Sequence, residues 1–157
     1  MPALLLFLLL CASCNTKGNW KTDAVRGDSG TISSSRLLYK SPISMQGMGF
    51  EVFRMGEENK GYLCLLSPYR NTTNELTISF YTDSAESFQC TALLHEGGER
   101  VLLPEETTKK VLLSLQEGKS ITLDVLGRTS ILEPQGFSSC YKEFQKNSSL
   151  EMPWTPL

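Results

Sequence analysis

The side chains of this 157-residue chain that could do covalent chemistry are one histidine and a small set of cysteines. A thiol or hydroxyl nucleophile needs a base within hydrogen-bond reach, and His95 could serve Cys140 or a serine in that role. However, His95 precedes Glu96-Gly97-Gly98, which is typical of an exposed turn. We therefore interpret His95 as a solvated turn residue, and we expect no catalytic residue and no enzymatic activity.

Other patterns that would bind a metal or a cofactor are weak. One histidine and the lack of a Cys-x-x-Cys pair after residue 14 exclude the usual zinc ligand sets. Glu57-Glu58 and Glu105-Glu106 could act as acid–base couples, but adjacent acids of this kind are mostly solubilising. Gly47-Met48-Gly49 lacks the third glycine of a phosphate-binding loop. We expect no metal and no cofactor.

The charge balance bears on the class of partner. The chain has 15 basic and 17 acidic residues, and the basic ones form no stripe interleaved with aromatic residues. Such a stripe is the usual signature of a nucleic-acid interface. We therefore expect no nucleic-acid partner.

The first fourteen residues contain a cysteine for which the sequence predicts a specific modification. Residues 2–10 are almost entirely apolar but too few for a permanent membrane-spanning helix, which needs about 20 residues. They have the length of an export-signal core. Ala12-Ser13-Cys14 resembles the end of a bacterial lipoprotein signal, and the resemblance implies cleavage before Cys14 and lipidation of Cys14. The alternatives are a secretory signal cut near Ala12 or Ser13 without a lipid, or a retained anchor.

Residues 15–35 are polar and nearly lack aliphatic side chains. Such a segment buries too little apolar surface to offset its ordering entropy. We therefore expect residues 14–35 to form a flexible tether with a root-mean-square span of about 25 Å. The predicted organisation is an export signal at 1–13, this tether, a β-rich globular domain at 36–145 and an irregular tail at 146–157.

Residue periodicity predicts mainly β structure in the globular domain. Alternating or short apolar runs predict strands, and two amphipathic stretches predict helices. The strands are expected at 49–55, 61–66, 76–81, 88–94, 100–103, 121–126 and 131–132, and the helices at 104–115 and 137–144. This pattern favours a small β-sandwich-like domain with one or two short helices near the C-terminus.

Three cysteines remain in the domain if Cys11 is removed and Cys14 is lipidated. Three thiols allow one disulfide and one spare cysteine. Cys64 and Cys90 both lie in predicted strands, which can bring their Cβ atoms within bridging range. One interpretation is therefore a Cys64–Cys90 disulfide, which would stabilise the fold by roughly 3–4 kcal/mol. The alternative is three buried thiols that behave as small apolar side chains.

Near the C-terminus, Gly118-Lys119 precedes a predicted strand, and Gly136-Phe137 opens the last helix, with Cys140 shortly after it. This order of elements resembles the invasion-associated locus B family of small exported bacterial β-sandwich proteins, in which a small residue stands at the place of Cys140. The resemblance covers residues 90–144 and implies a sandwich-type fold, an envelope or host-contact role and no catalytic residues. With the signal, it favours a non-catalytic lipoprotein, anchored in the bacterial outer membrane or at the periplasmic face, with a protein partner of unknown identity.

Two acceptor patterns for N-glycosylation support an alternative hypothesis. They are Asn71-Thr72-Thr73 and Asn147-Ser148-Ser149. In a eukaryotic or viral source, Asn71 and Asn147 would carry glycans. The chain would then be a secreted extracellular glycoprotein that acts as a receptor-binding β-sandwich module.

Overall fold

The chain alternates strands and turns as far as Leu102 and then adds two helices around a last strand pair. The computed structural model describes residues 18–26, 32–42, 48–55, 57–69, 73–95 and 97–148. The strands are β1 (Trp20–Arg26), β2 (Ile32–Tyr39), β3 (Gly49–Met55), β4 (Glu58–Cys64), β5 (Glu75–Thr82), β6 (Ser87–Leu94), β7 (Arg100–Leu102), β8 (Ile121–Val125) and β9 (Arg128–Leu132). The helices are α1 (Glu105–Gln116) and α2 (Phe137–Ser148). The prediction of a mainly β domain with short helices near the C-terminus is confirmed.

The described strands form one antiparallel sheet in the order β1-β2-β3-β4-β7-β6-β5-β8-β9. Strand β7 pairs with β4 on one side and β6 on the other, and so joins the two halves. The chain after β9 returns to the first strands, because Trp20 Nε1 donates to the Glu133 carbonyl at 2.7 Å and the Glu133 N–H donates to Tyr39 Oη at 3.4 Å. The segment after β9 is therefore bonded to the strands at the other edge of the sheet.

The core lies between the inner face of this sheet and the helices. Strand β5 shows the alternation that builds it, since every second residue from Leu76 to Thr82 is buried. Helix α2 packs against β1 and β2, and helix α1 packs against β4 and β8. The largest fully buried side chains include Trp20, Tyr39, Phe50, Phe80, Phe137 and Phe144. Aromatic side chains thus supply much of the buried apolar surface.

Helix α1 approaches β4 closely at a glycine. A Cβ atom at Gly61 would lie 2.4 Å from Thr108 Oγ1 and 2.7 Å from Thr108 Cγ2. The Thr108 hydroxyl donates to the Pro104 carbonyl at 3.2 Å, and Glu105 and Glu106 occupy the first helical turn, where acids are favoured by the helix dipole. The absence of a side chain at Gly61 therefore sets how near the helix can sit.

The flexible tether predicted at residues 14–35 is wrong for the part that the structure describes. Strands β1 and β2 are paired from Trp20 opposite Tyr39 to Arg26 opposite Ile32. Trp20 is 1% exposed, and its ring centroid lies 4.8 Å from those of both Tyr39 and Phe137. One tryptophan buries as much apolar surface as several small aliphatic residues, and α2 covers the otherwise polar strand. The folded domain therefore includes residues well before 36.

The C-terminal boundary also differs from the prediction. Helix α2 continues through Ser148, so residues 146–148 are helical rather than part of an irregular tail. The predicted export signal at 1–13, the predicted lipidation site Cys14, Asn71 and residues 149–157 lie outside the described residues. No helix in the described ranges is long and apolar enough to span a membrane.

Candidate functional site

A group of charged and aromatic side chains lies on the outer face of β2, β3, β4 and β7. We call Arg36, Glu51, Phe53, Tyr62 and Arg100 the arginine–aromatic cluster. Alternate residues of neighbouring strands share one face of a sheet, and the register brings these residues together. Arg36 is opposite Phe53, and Glu51 is opposite Tyr62. Arg100 enters from β7, where its neighbour Leu102 is opposite Tyr62.

Glu51 is the buried centre of the cluster. It is 7% exposed although it points away from the apolar core. Its Oε2 lies 2.6 Å from Arg100 Nη2, and its Oε1 lies 3.9 Å from Arg36 Nη1. Arg36 also pairs with Asp23 at 2.5 Å, and the hydrogen bond to Asp23 is the main reason that the pKa of Arg36 is raised. Two arginines therefore offset the cost of burying one carboxylate.

The aromatic rings of the cluster lie close to the two guanidinium groups. The Phe53 ring centroid lies 6.0 Å from Arg36 Cζ and 5.4 Å from Arg100 Cζ, and the Tyr62 centroid lies 5.8 Å from Arg100 Cζ. These distances are in the range of cation–π contacts. The Phe53 and Tyr62 rings meet edge to face with centroids 5.8 Å apart. Since the Arg100 side chain remains 46% exposed, the cluster presents ordered planar groups to the solvent.

The thiol beside the cluster is poorly suited to nucleophilic chemistry. The pKa of Cys64 is raised to about 11, mainly by burial and then by the charge of Glu51, while Arg100 partly opposes the shift. A thiol with a raised pKa stays protonated at neutral pH, whereas the thiolate is the nucleophile. The arrangement therefore favours a structural rather than a catalytic role for Cys64.

His95 lies on the same face but does not meet Cys140. The exposed His95 ring contacts Tyr62 with centroids 5.5 Å apart. Cys140 lies on α2, and its Sγ donates to the Trp20 carbonyl at 3.5 Å. The structure thus places the histidine and this cysteine in different surroundings, and the nucleophile–base pair considered from the sequence is not formed.

The structure does not join Cys64 to Cys90. Both are free thiols. Cys64 lies on the outer face, whereas Cys90 packs against the core beside Thr107 of α1. Cys64 is opposite Arg100, and the Arg100 carbonyl accepts a hydrogen bond from the His95 N–H. Cys90 lies five residues before His95, which is about 16 Å along β6 at ~3.3 Å per residue. The Cys64–Cys90 disulfide considered above is therefore not supported, because its two sulfur atoms are far apart and on different faces.

The remaining residues singled out in the sequence lie away from the cluster. Asn147 is half-buried in the last turn of α2. Glu105 and Glu106 are exposed and both contact Lys109, at 2.8 Å and 3.5 Å. Among the residues with described positions, no group of three or more His, Cys, Asp or Glu side chains could hold a metal ion.

A surface cavity in the described part of the chain has none of the five cluster residues in its lining. It measures about 790 Å³ and lies between the loop at residues 65–69 and the turn that joins β8 to β9. Arg128, whose Nη1 donates to Ser67 Oγ at 3.0 Å, is the one charged residue in its described lining. The cavity therefore brings no pair of charged groups together.

No sequence motif predicts the arginine–aromatic cluster, because its members come from four strands. One feature of the sequence could have indicated the cluster: the outward positions of β3 carry Glu51 and Phe53 rather than small polar residues. Comparison of the chain with protein-family models, with curated proteins and with solved structures finds no match. The resemblance to the invasion-associated locus B family stays a sequence-based prediction.

Proposed function

We propose that this protein is an exported, membrane-anchored lipoprotein that binds a protein partner and catalyses no reaction. The lipid is attached to Cys14, and the protein acts at the bacterial outer membrane or the periplasmic face of the envelope. The apolar segment at 2–10 and the Ala12-Ser13-Cys14 sequence support export and anchoring.

The binding role rests on the arginine–aromatic cluster. Arginine and tyrosine are enriched among the residues that dominate binding energy at protein interfaces. Arg100 and Tyr62 are already ordered by contacts with Glu51 and Phe53, so a partner would lose little side-chain entropy by binding them. The high pKa of the adjacent Cys64 thiol supports a binding surface rather than a reactive one.

The anchor is tested in the native host with two cysteine variants. We expect fatty-acid label and membrane association in the wild-type protein and in Cys11→Ser, which changes only a residue of the signal. Both properties should be lost in Cys14→Ser, because its hydroxyl replaces the thiol that carries the lipid. Label that persists in Cys14→Ser, or no label in the wild-type protein, would overturn the proposed anchor.

The binding surface is tested by site-specific photo-crosslinking in the native envelope. A photoreactive residue is placed at Tyr62 or, as a matched control, at Tyr81, which is 45% exposed on β5 outside the cluster. We expect a discrete protein adduct from position 62 and none from position 81. Adding Arg100→Lys should weaken the adduct, since lysine keeps the charge but loses the planar stacking. Equal adducts from both positions, or none from position 62, would contradict the proposal.

A further inference from the structure

We propose that the end of the folded domain at which β1 begins lies directly against the lipid headgroup layer. The inference rests on the proposed lipidation of Cys14. It concerns the end of the domain around Gly18, and the partner that it identifies is the membrane itself.

The chain is fixed to the domain from Gly18 onwards. Gly18 has a φ of +53°, and a Cβ atom there would lie 2.1 Å from the Gln135 carbonyl oxygen, so only glycine permits this close contact. The next carbonyl, that of Asn19, accepts a hydrogen bond from the Lys40 N–H at 3.0 Å. Trp20 follows and is 1% exposed. Gly18 is therefore a fixed point of the folded domain close to the start of β1.

The distance from the anchor to this fixed point is short whatever conformation the intervening residues adopt. Residues 15–17 are the only ones between Cys14 and Gly18. Four Cα–Cα steps of about 3.8 Å span at most about 15 Å. A lipid on Cys14 enters the bilayer at the headgroup level, so the surface around Gly18 must lie at or next to the headgroups.

This surface carries two exposed lysines that can contact anionic headgroups, beside one exposed acid, Glu133. Lys21 follows the buried Trp20, Lys40 is bonded to Asn19, and both lysine side chains are exposed. Lysines close to a membrane are attracted by anionic headgroups. We therefore expect Lys21 and Lys40 to strengthen the contact that the short connection imposes.

The opposite end of the domain points away from the membrane. Strand β4 ends at Cys64, opposite Gly49, and begins at Glu58. The six steps between these ends of β4 span about 20 Å at ~3.3 Å per residue. Tyr39 is opposite both Trp20 of β1 and Phe50, the residue after Gly49. The turn before Glu58 therefore lies at the far end of the sheet from the anchor.

Energy transfer from Trp20 tests this orientation. The chain has two tryptophans, so Trp154→Phe leaves Trp20 as the sole donor. The lipidated full-length protein is purified from host membranes and placed in anionic vesicles that carry dansyl on the lipid headgroups. We expect efficient transfer. It should fall at least about twofold when 20 Gly/Ser residues are inserted between Lys17 and Gly18, since such a spacer adds a span of about 25 Å.

Charge reversal provides the second test. Both lysines are replaced in the protein with the inserted spacer, as Lys21→Glu and Lys40→Glu. We expect this double substitution to reduce the energy transfer from Trp20 to the headgroup dansyl further. Lys109→Glu, on α1 with 62% of its side chain exposed, is the matched control and should have no effect. Mass spectrometry of the N-terminal peptide checks the lipid independently.

The outcomes separate this inference from the proposed function. An unlipidated Cys14 would overturn both. Lipidated protein that shows equally weak transfer with and without the spacer would overturn the orientation alone. An equal loss of transfer in Lys109→Glu would remove the role of Lys21 and Lys40.

Discussion

Glu51 is the residue on which the order of the arginine–aromatic cluster depends. Its side chain is 9% exposed, whereas those of Arg36 and Arg100 are 34% and 46% exposed. The arginines can therefore be reached by solvent and by a partner, but the carboxylate that positions them cannot. Removing that carboxylate should release the Arg100 guanidinium and weaken the hold on Arg36, which stays paired with Asp23.

We expect Glu51→Gln to lower the free energy of unfolding by about 1–2 kcal/mol. The glutamine keeps the shape and accepts one hydrogen bond, but it leaves two arginines without their buried counter-charge. Partial solvent exposure of the arginines limits the loss. Asp23→Asn is the matched control and should cost less than about 1 kcal/mol, because Asp23 is 53% exposed. Urea unfolding measures both, and equal effects of the two changes would refute the central role of Glu51.

Cys64 should be slow to react with alkylating reagents in the folded protein. Its pKa is raised from 9.0 to about 11, which corresponds to roughly 100-fold less thiolate at pH 8. Iodoacetamide labelling, followed by peptide mass mapping against pH, should show little modification of Cys64 below pH 9 and complete modification after unfolding. Rapid labelling of Cys64 at pH 7 in folded protein would contradict the structural role.

The same shift predicts a loss of stability at alkaline pH. Because the folded pKa lies above the unfolded one, the unfolded thiol ionises first and favours unfolding. The contribution of Cys64 is therefore fully present below pH 9 and is lost as the pH rises towards about 11. We expect the difference in unfolding free energy between the wild-type protein and Cys64→Ser to shrink over this window. A difference that is constant from pH 8 to 11 would rule out the shift.

At the scale of elements, alternation of apolar and polar residues was sufficient for most of the fold. The periodicities predicted β3 to β9 and both helices within a few residues, because each presents one clear buried face. Strands β1 and β2 were missed because three serines follow Ile32 in β2 and because β1 contributes one large buried side chain, Trp20. Their order comes from pairing with each other and from packing against α2, and the contact with α2 is far from local in sequence.

Strand β1 should therefore contribute strongly to stability. We expect Trp20→Phe to lower the free energy of unfolding by about 1–3 kcal/mol, since it creates a cavity and removes the bond from the indole N–H to the Glu133 carbonyl. A flexible tether at these residues would predict no change. Chemical denaturation, followed by far-ultraviolet circular dichroism, distinguishes the two results.

The contact between β4 and α1 permits a double-mutant test. Gly61→Ala should destabilise the fold by about 1–3 kcal/mol, because the new methyl group overlaps Thr108. Thr108→Ala in the same chain should recover part of this loss by removing the two nearest atoms. Thr108→Ala alone is the control. Strictly additive effects of the two substitutions would show that the helix moves away instead of clashing.

At the scale of the whole molecule, the sequence predicted the class of the domain but not its surface. Arg100 and Glu51 are 49 residues apart in the chain, and they meet only because β7 is inserted next to β4. A site that depends on strand order cannot be found from local patterns. The folded domain also begins earlier than the sequence predicted. The expected link between the domain and a lipid on Cys14 is therefore short and is not a long tether.

The central claim is that a lipid on Cys14 anchors this domain in the envelope. The most direct measurement is mass spectrometry of the N-terminal peptide of the protein isolated from membranes of its native host. We expect a mature chain that begins at Cys14 and carries fatty-acyl mass. A chain that retains Met1, or a mature N-terminus at another residue without a lipid, would contradict the account.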